Sequence, residues 1–493
     1  KYFSNDKNML DKSWKFKQWH VNCFILLKRS IHSLRANKKK DTMENLHKIM
    51  ETLSGWVWGP YMLVLIVGTG VFLTFRLLFW QFRMLPLAFK QVFGKHEHAK
   101  SHDGDISHFA SLMTALSATI GTGNIAGVAT ACVLGGPGAV FWMWMTALFG
   151  MATKYGEGVL AVKYRVKNEK GEMNGGPMYY IERGLKWKWL AIIFAFFGTV
   201  ASFGIGSSVQ SNTVALAVEN SLGVETWITG VVITVFSALV ILGGISSISK
   251  ASSVIVPIMA ILYVTGGLII ILNNLHLVVP AFELIFRDAF TGEAVAGGAI
   301  GAVIRYGVAR GVFSNEAGMG SAPIAAAAAK TDHPARQGLV SMTGTFIDTI
   351  IVCSITGIVL VMGFIMAGNS FGGATGAVLT TQVFDQLLPG FGGWVVTFGI
   401  IFFAYSTILG WSYYGEKCCT YLFGEKYVLI YRLIYIASVF IGTIATLDLV
   451  WLFADTFNGL MAVPNLIALL LLSGVIAKES KDFIAKRKSG ELY

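Results

Sequence analysis

Charged residues are scarce in this sequence. They make up 14% of its 493 residues, whereas 54% are hydrophobic and the mean hydropathy is +0.61. Many apolar runs approach the ~20 residues that a helix needs to cross a bilayer. A soluble enzyme with buried helices needs a polar face on each helix, and runs such as 190–200 and 253–272 have none. The composition therefore excludes that class and predicts a polytopic membrane protein.

Cysteine is also rare. The five cysteines match neither a disulfide framework nor a zinc-ligand spacing. Four histidines lie in KHEHAKSHDGDISH, from Lys95 to His108, but they have no fixed helical spacing and so do not favour a metal site. No apolar run pairs a His with a Cys, a Ser or two carboxylates at a usable catalytic spacing. The sequence thus argues against an intramembrane enzyme.

The net charge of +11 is concentrated at the amino end, where residues 1–41 carry eleven Lys/Arg and three Asp/Glu. The rest of the chain has no basic groove with interleaved aromatic residues, so no nucleic-acid partner is expected. Met43 opens a Met-Glu-Asn stretch that reads like a natural start. Residues 1–42 are therefore interpreted as a basic extension outside the fold, and their run VNCFILL makes a poor signal peptide.

Eleven apolar segments are long enough to be membrane spans. They are predicted at 56–75, 109–133, 139–161, 190–218, 227–242, 253–272, 295–329, 338–366, 394–414, 428–445 and 450–477. With loops assigned alternately to the two sides, one side holds every loop Lys/Arg except Arg287. Because positive loops stay in the cytoplasm, this predicts an external N-terminus for the mature domain, 43–477, and a cytoplasmic tail, 478–493.

Spans two to six and seven to eleven form two sets of five that enter the membrane from opposite sides. This is the pattern of an inverted repeat, at about 109–272 and 295–477, preceded by one extra helix. The expected fold class is an all-α polytopic membrane protein with 11 transmembrane helices.

The first span of each set is interrupted by glycine, with GTGNIAG in span two and YGVARGVFSNEAGMGSAP, Tyr306 to Pro323, in span seven. Non-helical backbone at that depth is tolerable only where it lines a cavity, so this pair predicts a binding site. The alternative is helix packing through Gly123 and Gly127. A nucleotide loop is excluded because the spacing is GxGxxxG and no strand precedes it.

Four motifs follow one another along the chain. They are SATIGTGNIAG, GGPGAVFWMWMTALFG from Gly135, NGGPMYYIERG from Asn174, and GVFSNEAGMGSAP from Gly311. On these motifs the chain, from about Met43 to its C-terminus, resembles the alanine/glycine:cation symporter family. The resemblance implies uptake of alanine or glycine with Na+ or H+ across a plasma membrane, without an organic cofactor. It also implies a core like that of the bacterial leucine transporter.

A zwitterionic amino acid needs donors for its carboxylate, acceptors for its ammonium and a pocket of limited size. Backbone N–H groups freed in span two are the expected donors, and carbonyls freed in span seven are the expected acceptors. The residues expected to bind substrate are Gly121, Thr122, Gly123, Asn124, Gln210, Phe313, Asn315 and Trp411, with Ser314 beside them. For Gln210 the alternative is an amide that joins helices, and for Trp411 it is core packing or an interfacial belt.

The resemblance to the leucine transporter further implies a Na+ site. Its oxygen ligands would come from Ser117, Ile120, Phe403, Ser406 and Thr407. The alternative is that the Ser and Thr hydroxyls bond to carbonyls of their own helix. Span six has no Lys or Arg to act as a tethered cation, which favours Na+ over H+. A proton-coupled symporter of the same fold, and then a passive channel, are the remaining alternatives.

Charges inside the spans are costly and therefore informative. Lys154 and Glu157 are placed near the cytoplasmic end of span three, where snorkelling or mutual pairing would explain them.

Two arginines, Arg305 and Arg310, fall in the outer half of span seven near Glu316, where they would line the access path or form a gate. Asp348 in span eight is expected to pair with one of these arginines or with Lys154 rather than to carry protons.

Overall fold

The computed structural model describes residues 45–94, 103–290, 299–368, 372–445 and 448–492. The chain divides into two units, 1–53 and 54–493. In the first unit the described residues, 45–53, are helical. The predicted extension, 1–42, lies outside the described residues.

Helices dominate the larger unit, as its long apolar runs predict. Up to the midpoint of the chain they are α1 Pro60–Arg76, α2 Trp80–Arg83, α3 Leu85–Phe93, α4 His108–Thr119, α5 Val128–Gly135, α6 Ala139–Lys163, α7 Pro177–Tyr180, α8 Lys188–Ala201, α9 Val209–Leu222, α10 Thr226–Ile241 and α11 Gly244–Asn273. The helices that follow are α12 Val278–Phe290, α13 Ala299–Asn315, α14 Ala322–Ala326, α15 Pro334–Thr345, α16 Ser354–Ala367, α17 Gly376–Leu387, α18 Gly392–Phe423, α19 Val428–Ile444, α20 Asp448–Leu471 and α21 Ser473–Lys488.

Wider π-helical turns interrupt several of these helices. In the described ranges they lie at Gly123–Gly127, Ile181–Leu185, Ser202–Ser208 and Phe346–Cys353, and 3-10 turns lie at Leu275–Leu277 and Glu425–Tyr427. Such π turns often occur at functional sites. The sequence predicted an interruption only at the first of these π turns, and two of the others lie inside predicted spans four and eight.

Seven helices in the described residues are long and apolar enough to cross a membrane, and one bent pair brings the number to eight. Three further predicted spans are helical but do not meet that standard. Helix α6 carries Lys154 and Glu157, α10 has 16 residues, and the helix of span seven stops at Asn315. The chain is therefore a helical, multi-pass membrane protein, and large apolar side chains such as Leu239 and Ile261 lie exposed on its surface, as a lipid-facing surface requires.

The predicted interruption of span two is present. Helix α4 ends at Thr119, Ile120 has an extended ψ of 91°, and α5 continues at an angle of 54° to α4.

The interruption of span seven is also present. Helix α13 ends at Asn315, and the next residues include Glu316, Gly318 and Gly320 with φ of 53°, 90° and 84°. Glycine tolerates this left-handed backbone, which explains the glycines of the EAGMG stretch.

A small hairpin departs from the all-α expectation. Strands β1, Val166–Lys167, and β2, Met173–Asn174, pair antiparallel between spans three and four. The hairpin is fastened from outside itself: the Met173 N–H donates to Asp105 at 3.0 Å, and the Lys417 Nζ donates to Asn174 at 2.7 Å.

Candidate functional site

The break in span two redirects two backbone N–H groups. Gly121 N donates to Asn124 Oδ1 at 2.9 Å, and Thr122 N reaches Gln210 Oε1 at 3.5 Å. In a continuous helix the same groups would donate to the carbonyls of Ser117 and Ala118. The break therefore releases these two carbonyls, and the side-chain amides of Asn124 and Gln210 take their place as acceptors for the Gly121 and Thr122 N–H groups.

The two broken spans approach each other at Gly123. A Cβ added there would lie 3.1 Å from the Phe313 ring and 3.4 Å from the Ser314 Cα. A Cβ added at Gly127 would meet nothing within 4 Å. The alternative of close packing through both glycines is therefore wrong for Gly127, whereas Gly123 is required by the approach of span seven.

Asp348 is a fully buried carboxylate beside this contact. It accepts hydrogen bonds from Asn124 Nδ2 at 2.7 Å, Ser314 Oγ at 2.9 Å and Thr349 Oγ1 at 2.7 Å. Cys353 Sγ lies 3.3 Å from Asn124 Nδ2. Asp348 thus joins span eight to both broken spans through neutral side chains, and the predicted pairing with an arginine is wrong.

The break in span seven has its own polar anchors. Asn315 donates to Thr349 Oγ1 at 3.1 Å and accepts from Ala317 N at 3.0 Å. The Glu316 carboxylate accepts from Trp411 Nε1 at 3.0 Å and from Ser321 Oγ. Trp411 is 1% exposed and does not line the open cavity. Its indole N–H anchors the unwound turn, a role that the sequence did not suggest.

The oxygen atoms of the expected Na+ site partly converge. Thr407 Oγ1 lies 2.9 Å from the Phe403 carbonyl and 3.4 Å from the Ile120 carbonyl, across the break of span two. Ser406 Oγ lies 2.9 Å from the same Phe403 carbonyl. Ser117 Oγ instead bonds to Thr114 at 2.8 Å, so only its carbonyl, released by the break, remains available. The alternative of bonding within the helix is thus also observed for Ser406 and Thr407.

A cavity of about 850 Å³ opens onto the break from one side. It is lined by the second half of span two, the end of span four and residues of α17, and it reaches Thr122, Gly123 and Phe313. Arg310 and Asp455 stand on its wall, 3.9 Å apart. Arg305 is exposed over the ring of Tyr306 and is not part of the lining. Of the two arginines, Arg310 therefore lines this cavity and Arg305 does not.

Glu157 contacts the unwound stretch of span seven. It accepts from Gly320 N at 3.1 Å and from Asn465 Nδ2 at 2.7 Å, while Asn465 Nδ2 also donates to the Gly318 carbonyl at 2.8 Å. The predicted snorkelling is wrong, because Glu157 and Lys154 are 1% and 3% exposed. A polar Asn465 within an apolar run was the signal that sequence analysis missed.

Lys154 has no hydrogen-bond partner for its Nζ within the described part of the chain. It borders a small closed cavity of about 10 Å³ between α4 and α15, which is roughly the size of one water molecule. Its ammonium interacts electrostatically with Glu157, Glu316 and Asp348. One buried cation therefore faces three buried carboxylates.

On the opposite side of the break, Arg165 joins separate segments of the chain. Arg165 donates from Nη1 to the carbonyls of Ala327 at 2.9 Å and Ala329 at 2.6 Å, and from Nη2 to the carbonyl of Asp103 at 2.8 Å. The C-terminal end of broken span seven is thus tied to the start of the hairpin.

Part of the histidine run, 95–102, lies outside the described residues, and His108 bonds to Gln337 at 2.7 Å. Among the described residues one cluster has the composition of a metal site, His333 with Glu479 and Asp482. His333 Nδ1 accepts from Ala335 N, so Nε2 carries the proton and donates to Asp482 at 3.1 Å. That arrangement serves helix capping rather than metal binding.

Comparison with known proteins gives consistent matches over most of the chain. The model of the sodium:alanine symporter family matches residues 43–492. The sodium/alanine symporter AgcS of Methanococcus maripaludis is 59% identical over 445 residues, 90% of this chain and 98% of that protein. The probable sodium/glutamine symporter GlnT of Bacillus subtilis is 38% identical over 448 residues, 90% and 92% of the two chains. A solved manganese transporter mutant of Eremococcus coleocola has a TM-score of 0.46 at 13% identity over 75% of this chain and 78% of its own, too low a similarity to argue from.

Proposed function

The chain belongs to the sodium:alanine symporter family, and we propose that it imports alanine and glycine with Na+ by alternating access. Sodium-coupled alanine symport is the activity that the family description names. The observation that carries the proposal is the meeting of two broken helices at Gly123 and Phe313, at the end of an open cavity. No step of this function changes the substrate chemically.

The substrate would lie between the two breaks. In this structure the Gly121 and Thr122 N–H groups donate to the side-chain oxygens of Asn124 and Gln210. In the proposal, the substrate carboxylate displaces these two oxygens and is held by the N–H groups of Gly121, Thr122 and Gly123. The carbonyls of Phe313 and Asn315 receive the ammonium.

Phe313, at the end of the cavity, limits the size of the side chain in this proposal, and Trp411 acts only from behind it, through its hydrogen bond to Glu316 in the unwound turn. Exclusion by bulk fits a family in which one relative is named for alanine and another for glutamine.

Na+ is proposed as the co-substrate at Ser117, Ile120, Phe403, Ser406 and Thr407. Hard cations of this size bind oxygen at about 2.3–2.6 Å, so ligands at right angles stand roughly 3.5 Å apart. The separation of 3.4 Å between Thr407 Oγ1 and the Ile120 carbonyl fits such a site. Asp348 is linked to the Gly121 N–H by two hydrogen bonds through Asn124. The hydrogen bonds of Asp348 would therefore change when the proposed Na+ site is occupied.

The finer architecture is also part of the proposal. It comprises eleven spans, with repeats at about 109–272 and 295–477, in a plasma membrane with the C-terminus in the cytoplasm. The open cavity then faces outward, and the Arg165 side faces the cytoplasm. The match to the family starts at residue 43, which supports assigning 1–42 to an extension outside the transporter domain.

Uptake into proteoliposomes tests the function. We expect alanine to accumulate above its external concentration under an inward Na+ gradient, and not when choline replaces Na+. Accumulation driven by a pH gradient alone would instead support the proton-coupled alternative. Flux that only equilibrates the two sides would support a channel and contradict the proposal.

A further inference from the structure

A basic pocket lies between the end of α6 and the start of α8, away from the substrate site. It has a volume of about 630 Å³ and is open to solvent. Its lining consists of Lys163, Tyr164, Glu182, Arg183, Lys186 and Lys188.

Two of its four cations are already paired. Lys163 Nζ lies 2.7 Å from Glu479, and Lys188 Nζ lies 3.8 Å from Glu182. Glu182 also accepts from the Tyr421 hydroxyl at 2.9 Å. The acidic groups near the pocket are thus engaged.

Arg183 and Lys186 have no hydrogen-bond or ion-pair partner within the described ranges of the chain. Lys186 has a left-handed φ of 64°, which is uncommon for a lysine. This turn lets three consecutive basic positions, Arg183, Lys186 and Lys188, line one pocket. The pocket therefore presents uncompensated positive charge.

The pocket lies at the level where a membrane-spanning helix begins. Lys188 is the first residue of a 35-residue apolar span, Lys188–Leu222. Trp187 and Trp189 beside it are 40% and 61% exposed and stack with ring centroids 6.3 Å apart. Exposed tryptophans at a helix end are typical of the headgroup region of a bilayer.

We propose that this pocket binds the phosphate group of an anionic phospholipid. Arg183 and Lys186 hold the phosphate, and Trp187 and Trp189 lie among the headgroups and upper acyl chains. Guanidinium and ammonium groups between helices on the cytoplasmic side suit such headgroups. The cytoplasmic placement rests on the orientation given under the proposed function.

Native mass spectrometry of the full chain tests this site. The chain is purified in detergent and titrated with dioleoylphosphatidylglycerol or dioleoylphosphatidylcholine. We expect retention of the anionic lipid, and a loss of affinity of roughly 30-fold in the double variant Arg183→Gln/Lys186→Gln, equivalent to about 2 kcal/mol for two basic residues.

The matched control is the double variant Lys167→Gln/Lys170→Gln, which removes the same charge from the same loop outside the pocket. It should retain the lipid as the unchanged chain does. Equal loss of lipid in both double variants would overturn the site, because charge alone would then explain binding.

Titration with inorganic phosphate tests whether the pocket binds the phosphate of a phospholipid or free phosphate. Competition by phosphate together with retention of phosphatidylglycerol supports the lipid site. Binding of phosphate without retention of the lipid overturns the lipid assignment, and binding of neither overturns the site. Because these are binding measurements, their failure leaves the proposed transport untouched.

Discussion

Gly123 and Gly127 lie four residues apart in the same span, yet only Gly123 faces another helix. A Cβ at Gly123 would stand 3.1 Å from Phe313, tighter than ordinary contact, whereas a Cβ at Gly127 has open space. We expect Gly123→Ala to reduce alanine uptake at least about tenfold, because the methyl group narrows the proposed pocket. Glycine uptake should suffer less, since glycine is smaller by one methyl group.

Gly127→Ala is the matched control, and its uptake should stay close to that of the unchanged chain. The measurement is kcat/KM for alanine and for glycine in proteoliposomes. Equal losses in the two variants would contradict a steric role that is special to Gly123.

Thr407 tests the proposed cation site at a single hydroxyl. Thr407→Val keeps the shape and removes the oxygen that lies 3.4 Å from the Ile120 carbonyl. Hydrogen bonds to charged groups contribute about 1.5–3 kcal/mol to stability, and we expect the loss of one Na+ ligand to weaken Na+ binding by a similar free energy. The half-saturating Na+ concentration should therefore rise at least about tenfold. Uptake at saturating Na+ should largely recover.

Thr420→Val on the same helix is the control for that change. Among the described residues, the Thr420 hydroxyl bonds only to the Glu416 carbonyl of its own helix, at 2.8 Å. Its Na+ dependence should be unchanged. A rise confined to KM for alanine in Thr407→Val would place Thr407 in the substrate pocket instead.

Lys154 is the buried cation of the molecule's acidic centre. Lys154→Met would leave Glu157, Glu316 and Asp348 without the ammonium that interacts with all three. Leaving buried carboxylates without a compensating charge destabilises the fold, so the melting temperature in detergent should fall by several degrees.

Lys163→Gln, on the same helix but 45% exposed, should change the melting temperature little because surface ion pairs contribute little. A Lys154→Met variant as stable as the unchanged chain would contradict a stabilising role for Lys154.

At the level of the helices, the sequence predicted where the chain breaks but not what holds the breaks. Glycines in GTGNIAG and EAGMG marked both interruptions, because glycine supplies the backbone that a helix cannot. The anchors were not predictable, since Asn124 and Asp348 are separated by 224 positions and Glu157 and Asn465 by 308. Only the folded chain brings such residues together.

The π turns at Ser202–Ser208 and Phe346–Cys353 also escaped prediction. A π turn differs from an α-helix by one hydrogen-bond register and leaves no periodicity of its own in so short a segment. Both turns support the site: Gln210 follows the first and Asp348 lies in the second.

Asn465 and Asn458 on α20 test how the break of span seven is held. Asn465 bridges Glu157 and Gly318, whereas both side-chain polar atoms of Asn458 lack partners among the described residues. Asn465→Leu should lower the melting temperature, since it leaves buried groups unsatisfied at a cost of about 1–3 kcal/mol each. Asn458→Leu should be neutral or stabilising.

The same detergent melting assay compares the two variants side by side. If Asn458→Leu lowered the melting temperature more than Asn465→Leu does, the hydrogen bonds of Asn465 would not be what holds the break of span seven.

Across the whole molecule, the two sides of the break differ. One side has the cavity that carries Arg310 and Asp455, and on the other side Arg165 bonds to carbonyls at the end of span seven. The sequence supplied the alternation of loop charges that suggested the two faces. The sequence did not predict the difference between the two sides. That difference depends on the carbonyls to which Arg165 bonds, and the break in span seven sets where those carbonyls lie.

Arg165 therefore offers a test of alternating access. Arg165→Gln removes hydrogen bonds to three carbonyls, at Ala327, Ala329 and Asp103, each charge-assisted and worth roughly 1.5–3 kcal/mol at most. We expect the loss of these bonds to shift the population towards an inward-open state, because in this structure they join the end of span seven to the hairpin. A cysteine introduced as Ala326→Cys, at a position 3% exposed, reports the opening.

We expect a membrane-impermeant maleimide applied from the cytoplasmic side to label this cysteine faster in the Arg165→Gln background, and external Na+ to slow the labelling. Lys167→Gln, two residues further along and 57% exposed, is the control and should leave the rate unchanged. Labelling from the cytoplasmic side that stays slow in both backgrounds would show that Arg165 does not hold the inner face shut.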